Sequence, residues 1–219
     1  MPRTEIPLFP LGTVLYPGLM LPLHIFEERY RLLVRSLLAL PVEHRSFGVI
    51  AIRKGWEVGP DAVRALHEVG CAAELRAVEP YDDGRFDLVT TGTRRFRLLS
   101  VDGDSSPYLR GEIEWIDESP GEGADVLAAA VARQFLAYRL VLTGDADGAA
   151  LPADPHLLSY LVAAAVILDL GDKQSLLEAA DDAGRLREEL WLLRREAAVL
   201  KRLPSLPAVD LTRAGFSPN

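Results

Sequence analysis

The spacing of apolar positions changes period once along the chain, near residue 120. Before that point, apolar and polar residues alternate in short runs, the signature of half-buried strands. The runs predict strands over Glu5–Phe9, Leu19–His24, Phe47–Ile52, Cys71–Glu79, Phe86–Thr91, Arg95–Val101 and Leu109–Trp115. Turn signals separate several of them: YPGL (16–19), DDGR (82–85), TGTR (91–94) and DGDSSP (102–107). In YPGL, proline and glycine hold the second and third positions, which specifies a type II turn, because glycine accepts the positive φ there without steric cost. One helix interrupts the strands. From Phe26, apolar residues recur at Tyr30, Leu33, Val34, Leu37 and Leu38, with Glu27 and Glu28 suited to the dipole of its first turn and Pro41 ending it.

After DESPGEG (117–123) the period becomes that of a helix, with Leu127, Val131, Phe135, Tyr138 and Leu142 on one stripe. Asp154 before Pro155 predicts an N-cap with proline at the first helical position. Gly171 is expected to stop that helix, and Asp172 to cap a short KQSLLEAA helix. Asp181 or Asp182 then opens a long final helix with Leu186, Leu190, Leu193, Ala197 and Leu200 as its inner stripe. Residues 203–219 hold three prolines and few charges, and read as a loosely attached tail. The pattern therefore predicts an α+β chain: a strand-built unit over 1–118, a helical unit over 119–202 and a tail over 203–219.

Composition narrows the function classes. The chain has 219 residues, 49% of them hydrophobic and 26% charged, ordinary globular values that allow a sizeable core. Net charge is −8 and both halves are mildly acidic, so no basic surface stands ready for a phosphate backbone. The single cysteine, Cys71, excludes an internal disulfide and fits a cytoplasmic location. The segment 7–30 is greasy but carries Pro7, Pro10, Pro17 and Pro22, which break the ladder that a spanning helix needs, so no membrane span is expected there. Arg3 followed by Glu5, without a smooth apolar core or a cleavage site, does not read as a signal peptide either.

Candidate chemistry is sparse. His67 and Cys71 are four apart, but a metal site needs three or four ligands and neither has a companion pair, so no metal or cofactor is expected. A nucleophilic Cys71 would need a nearby base; a small buried side chain accounts for it more simply. The carboxylate pairs Glu27/Glu28, Asp82/Asp83 and Asp181/Asp182 sit at helix starts or a turn, where capping explains them. Arg94, Arg95 and Arg97 form the one compact basic cluster; on a strand, Arg95 and Arg97 share a face, read as a solvated outer face, while Phe96 and Leu98 line the other.

The stretch IPLFPLGTVLYPGLMLPLHIFEERYRLLV (6–34) resembles the start of the Lon protease N-terminal, substrate-binding domain: a P-L-F-P-L strand, a proline-glycine turn and an L-P-L-x-I-F-E-x-R-Y-R junction. The resemblance continues through FGVI (47–50), residues 69–101 and residues 159–200, in the family's order. It implies a PUA-like, six-stranded, partly open β-barrel with one inserted helix, followed by a C-terminal helical bundle. The phosphate loop of the Lon ATPase, G-x-x-x-x-G-K-[ST], is not found in the sequence, so a non-catalytic recognition domain without ATPase and peptidase domains is expected. What the resemblance implies for function is recognition of unfolded or apolar polypeptide, as an adaptor to a protease or chaperone or as a holdase. The alternative class is RNA or small-ligand binding through the barrel; net charge −8 counts against nucleic acid. The side chains around the tight turn, Leu15, Tyr16, Leu19 and Met20, are the expected client-binding strip, since a turn that reverses the chain within four residues aims its flanks outward.

Overall fold

A computed structural model of the chain describes residues 3–55, 63–144 and 150–202. The tail expected over 203–219 lies outside the described residues. Six strands, β1 (Thr4–Leu11), β2 (Met20–Ile25), β3 (Ser46–Gly55), β4 (Val63–Pro80), β5 (Phe86–Asp102) and β6 (Arg110–Trp115), form one mixed sheet in the order β2-β5-β4-β3-β1-β6. Only the β1–β3 pair is parallel. Because β6 also pairs with β5, hydrogen bonds run in a closed ring through β5, β4, β3, β1 and β6, with β2 attached outside it.

The length of β5 makes this possible. Its first part, Phe86–Thr91, pairs with β2, and its second, Phe96–Asp102, pairs with β6, while β4 accompanies both. The expected turn at TGTR is therefore corrected: residues 91–94 continue the strand. Gly92 is there for space, since a β-carbon on it would stand 2.2 Å from the Tyr16 carbonyl oxygen. The YPGL turn presses onto that point, with Gly18 at φ 79°, its N–H donating to the Gly92 carbonyl at 2.8 Å, and Gly92 N–H donating to the Leu19 carbonyl at 2.8 Å. The Asp-Gly turn closes the β4–β5 hairpin as expected, with Gly84 at φ 82° and Pro80 opposite Phe86.

Helix α1 (Glu28–Leu38) begins two residues later than its apolar stripe suggested, leaving Phe26 outside it and exposed. Its Tyr30, Leu33, Val34 and Leu37 pack with Phe9, Ile25, Phe47, Phe86 and Leu88 under the open end of the sheet. A second, smaller core of Ile6, Leu8, Ile50, Phe96 and Ile113 fills the ring.

Four helices follow: α2 (Ala124–Thr143), α3 (Pro155–Ala165), α4 (Leu170–Glu178) and α5 (Asp182–Arg202). Asp154 caps α3 as expected, accepting from His156 N–H at 2.9 Å. The next boundary is a correction. α3 ends at Ala165, six residues before Gly171, and Gly171 lies inside α4. Asp169 caps α4 by accepting from Asp172 N–H at 2.9 Å, and the Ile167 N–H donates to the Tyr138 hydroxyl. Along α5, Leu186, Glu189, Leu192 and Leu193 are buried; Leu190 is half-buried, still against the cluster that holds Leu161 and Val162. Among the described residues α2 is the one helix long and apolar enough to cross a membrane. Its Ala128, Val131, Phe135 and Tyr138 are buried in the same cluster as residues of α3 and α5.

Candidate functional site

The β1–β2 segment, which the tight-turn argument singled out, divides into buried and exposed parts. Leu15 and Tyr16 are buried, Tyr16 to 2% exposure; this corrects the expectation that they project outward. The cause is the helical half, which comes down on the turn from outside. The Tyr16 hydroxyl donates to the Lys173 carbonyl of α4 at 2.8 Å, and its ring lies 6.1 Å from that of Tyr160 in α3. Burial pushes the Tyr16 phenol far up from its ordinary value. Leu19 is half-buried against the same cores. Met20 alone of the four is well exposed, at 73%.

Alternation along β2 explains the exposed side. Leu21, Leu23 and Ile25 turn inward, while Met20, Pro22 and His24 face out. Across the ladder Pro22 sits opposite Val89 and His24 opposite Asp87. Exposed Val89, Phe26 and Tyr81 extend this outer surface. The His24 ring lies 6.3 Å from Phe26 and 6.0 Å from Tyr81. Asp87 ties the group together, one oxygen 2.6 Å from His24 Nδ1 and the other accepting from the Tyr81 hydroxyl at 2.6 Å. These bonds hold the Asp87 carboxyl below its usual range and push the Tyr81 phenol up. His24 therefore links β2 to β5 through its side chain as well as through the ladder. Phe26, Tyr81 and Val89 were missed; the alternation of MLPLHI placed them within reach only once the pairing partner of β2 was known.

The seam between sheet and helices holds a second group of ionisable residues. Arg95, expected on a solvated face, is fully buried: its outer side of β5 is covered by the end of α4, and it donates to the Leu177 and Ala179 carbonyls at 2.6 Å each. Arg94 and Arg97 remain half exposed. Arg185 of α5 is buried too, donating to the Leu176 carbonyl, the Ser159 and Tyr160 hydroxyls and Asp182. Burial pushes the Glu118 carboxyl up, but hydrogen bonds from Arg95 and Tyr160 and the charge of Arg185 outweigh it and hold it below the usual range.

Glu118, His156 and Asp182 bring ligand-type atoms within 4.8 Å of one another beside a cleft of about 450 Å³. Both carboxylates are already engaged by arginines, Glu118 by Arg95 and Asp182 by Arg185. Three helix starts meet here, and their caps account for the neighbouring acids: Asp154 for α3, and Asp181, which accepts from Gly184 N–H at 2.7 Å, for α5. His67 and Cys71, the pair weighed for metal, do not converge. Cys71 is buried, its thiol pushed up to about 12 by desolvation, and His67 Nδ1 stands 3.9 Å from Glu178.

Comparison with known proteins agrees with this architecture. The chain is 29% identical over 204 residues to Lon protease from Anaeromyxobacter dehalogenans, covering 90% of this chain and 24% of that protein. It is 27% identical over 208 residues to Lon protease from Escherichia coli, covering 91% of this chain and 26% of the other. The chain thus spans about a quarter of the length of these curated relatives. The Lon N-terminal domain protein from Xanthomonas campestris superposes with a TM-score of 0.63 at 26% identity, covering 86% of this chain and 98% of the other. The N-terminal domain of Mycobacterium avium complex Lon protease, at 19% identity, shares the fold with a TM-score of 0.64. The family model of the ATP-dependent protease La (LON) substrate-binding domain matches residues 5–195, and the chain belongs to that family.

Proposed function

We propose that this chain recognises client polypeptides through exposed apolar segments, as an adaptor or holdase, and performs no chemistry itself. Membership of the substrate-binding domain family over residues 5–195 is the observation that carries the reading. The apolar outer surface of β2 and β5, with Met20, Phe26 and Val89 exposed together, supports the preference for apolar segments. The seam supports the non-catalytic part: Arg95, Arg185, Glu118 and Tyr160 are spent on one another and on main-chain carbonyls, and the thiol of Cys71 is buried. Net charge −8 makes polypeptide a better partner than nucleic acid.

Affinity is expected to be weak, because an unfolded segment loses conformational entropy on binding. The test is capture of reduced, carbamidomethylated lysozyme by the purified chain, read by fluorescence anisotropy, with native lysozyme as control. Preference for the unfolded form, without ATP hydrolysis or casein cleavage, is the expected result. Equal affinity for both forms, or turnover that co-elutes with the protein, would overturn it.

A further inference from the structure

Strand β1 changes neighbours along its length. Thr4–Pro7 pair with β6, whereas Leu8–Leu11 pair with β3. Over Phe9–Leu11, the side of β1 away from β3 has therefore run past its pairing with β6. Strand β2 ends the strand order and, among the described residues, pairs only with β5. These two strand edges flank one slot of about 190 Å³, with Phe9, Leu11, Leu23, Phe26 and Tyr30 among its walls. The sheet is thus closed by β6 at one end and open between β1 and β2 at the other.

Resting on the client-recognition reading, we infer that the free edge of β2 takes an extended apolar polypeptide segment as an added strand, with one large side chain of that segment seated in the slot. An unpaired strand edge offers a row of main-chain donors and acceptors, and its chemical complement is another strand. Side chains of an added strand alternate between its two faces. One set enters the slot, and the other lies over the outer surface beside Met20 and Phe26. Pro22 removes one donor from the edge, which shortens the ladder and keeps the added strand exchangeable. Charge narrows the partner further. Among the described residues no lysine or arginine lines the slot, and its one carboxylate, Glu27, is paired with Arg29 at 3.0 Å. An acidic segment meets no counter-charge there, on a chain of net charge −8, so the partner is neutral or basic.

The probe is a heptapeptide of alternating valine and threonine with phenylalanine at its centre, flanked by lysines, compared with the same peptide N-methylated at alternate amides. Methylation keeps the side chains and blocks strand pairing. Binding to the whole chain should fall at least tenfold on methylation, and the unmodified peptide should slow hydrogen exchange in Met20–Ile25. Phe26→Lys, at a half-exposed position outside α1, should weaken both the peptide and reduced lysozyme several-fold with the melting temperature kept. Equal binding of both peptides, or protection confined to other segments, overturns strand addition; capture of reduced lysozyme in that case leaves client recognition standing. A strand signature with the peptide but no capture of reduced lysozyme keeps the edge assignment and overturns the client reading. A dimer that protects the same residues and excludes the peptide assigns the edge to self-association and overturns the proposal.

Discussion

The guanidinium of Arg95 grips the carboxylate of Glu118 with both prongs, Nε to Oε1 at 2.8 Å and Nη2 to Oε2 at 2.9 Å. One partner belongs to the strand ring and the other to the segment leading into α2, so this pair fastens the two halves. Arg95 is buried while Glu118 is partly exposed, so losing Arg95 leaves the Leu177 and Ala179 carbonyls without their donor rather than stranding a buried charge.

Arg95→Ala should therefore cost about 2–4 kcal/mol in urea unfolding. Arg95→Lys should recover little of it, because a single ammonium cannot serve the Glu118 fork and the Leu177 and Ala179 carbonyls together. Full recovery by lysine would mean that charge alone matters at the seam.

Glu189 gives the clearest pH dependence. It is buried on α5, and no side chain among the described residues hydrogen-bonds to its carboxyl oxygens. Burial pushes the carboxyl well above its ordinary range; Arg185 opposes this, and Glu188 and Asp182 reinforce it. Folded, the group keeps a proton that the unfolded chain releases near its ordinary value of about 4.3. Stability should fall as pH rises from there until the folded carboxyl ionises. Glu189→Met should raise the urea midpoint, by more at about pH 8 than at about pH 5. A gain that is the same at both values would show that Glu189 ionises alike in both states.

Tyr16 and Met20, close neighbours at one turn, should behave oppositely. Tyr16→Phe loses the bond to the Lys173 carbonyl and should cost about 1 kcal/mol. Tyr16→Ser also empties a core position and should cost about 3–5 kcal/mol. Met20→Ser should stay within about 0.5 kcal/mol of the parent, as an exposed position does. Thermal melts of the three variants compare them directly.

Cys71 should react with iodoacetamide at about pH 8 only after unfolding, since the nucleophile is the thiolate and burial disfavours it. Rapid labelling of the native chain would mean that β4 opens from its neighbours far more readily than its packing implies.

Much of the fold could be read from periodicity. The alternation before residue 120 and the helical stripes after it gave the element types, and Asp154-Pro155 and the Asp-Gly turn gave two boundaries closely. Gly92 misled because glycine marks both chain reversal and close approach, and only the neighbour across the gap decides which, whereas Gly171 sits in the first turn of α4 with no close neighbour. Tyr16 was assigned to solvent because it flanks a tight turn, and Arg95 because it stands on the outer face of its strand. The sheet's own alternation carries no information that α4 covers that outside. The surface on β2 and β5 depended on a pairing between segments more than sixty residues apart, which no local pattern encodes.

Three carbonyl oxygens of helix α4, and a fourth just beyond it, are taken by side chains from other elements. Tyr16 takes that of Lys173, Arg185 that of Leu176, and Arg95 those of Leu177 and of Ala179 just beyond the helix. Main-chain oxygens stay in place when side chains change. Gln174, Leu176 and Leu177 are buried, Asp172 pairs with Arg195 and Ser175 donates to Glu188; the other side chains of the helix can be changed without disturbing those carbonyl bonds. The helix offers a position for a dye, a crosslinker or a fused peptide, where a label would report on the angle between sheet and helices without altering it.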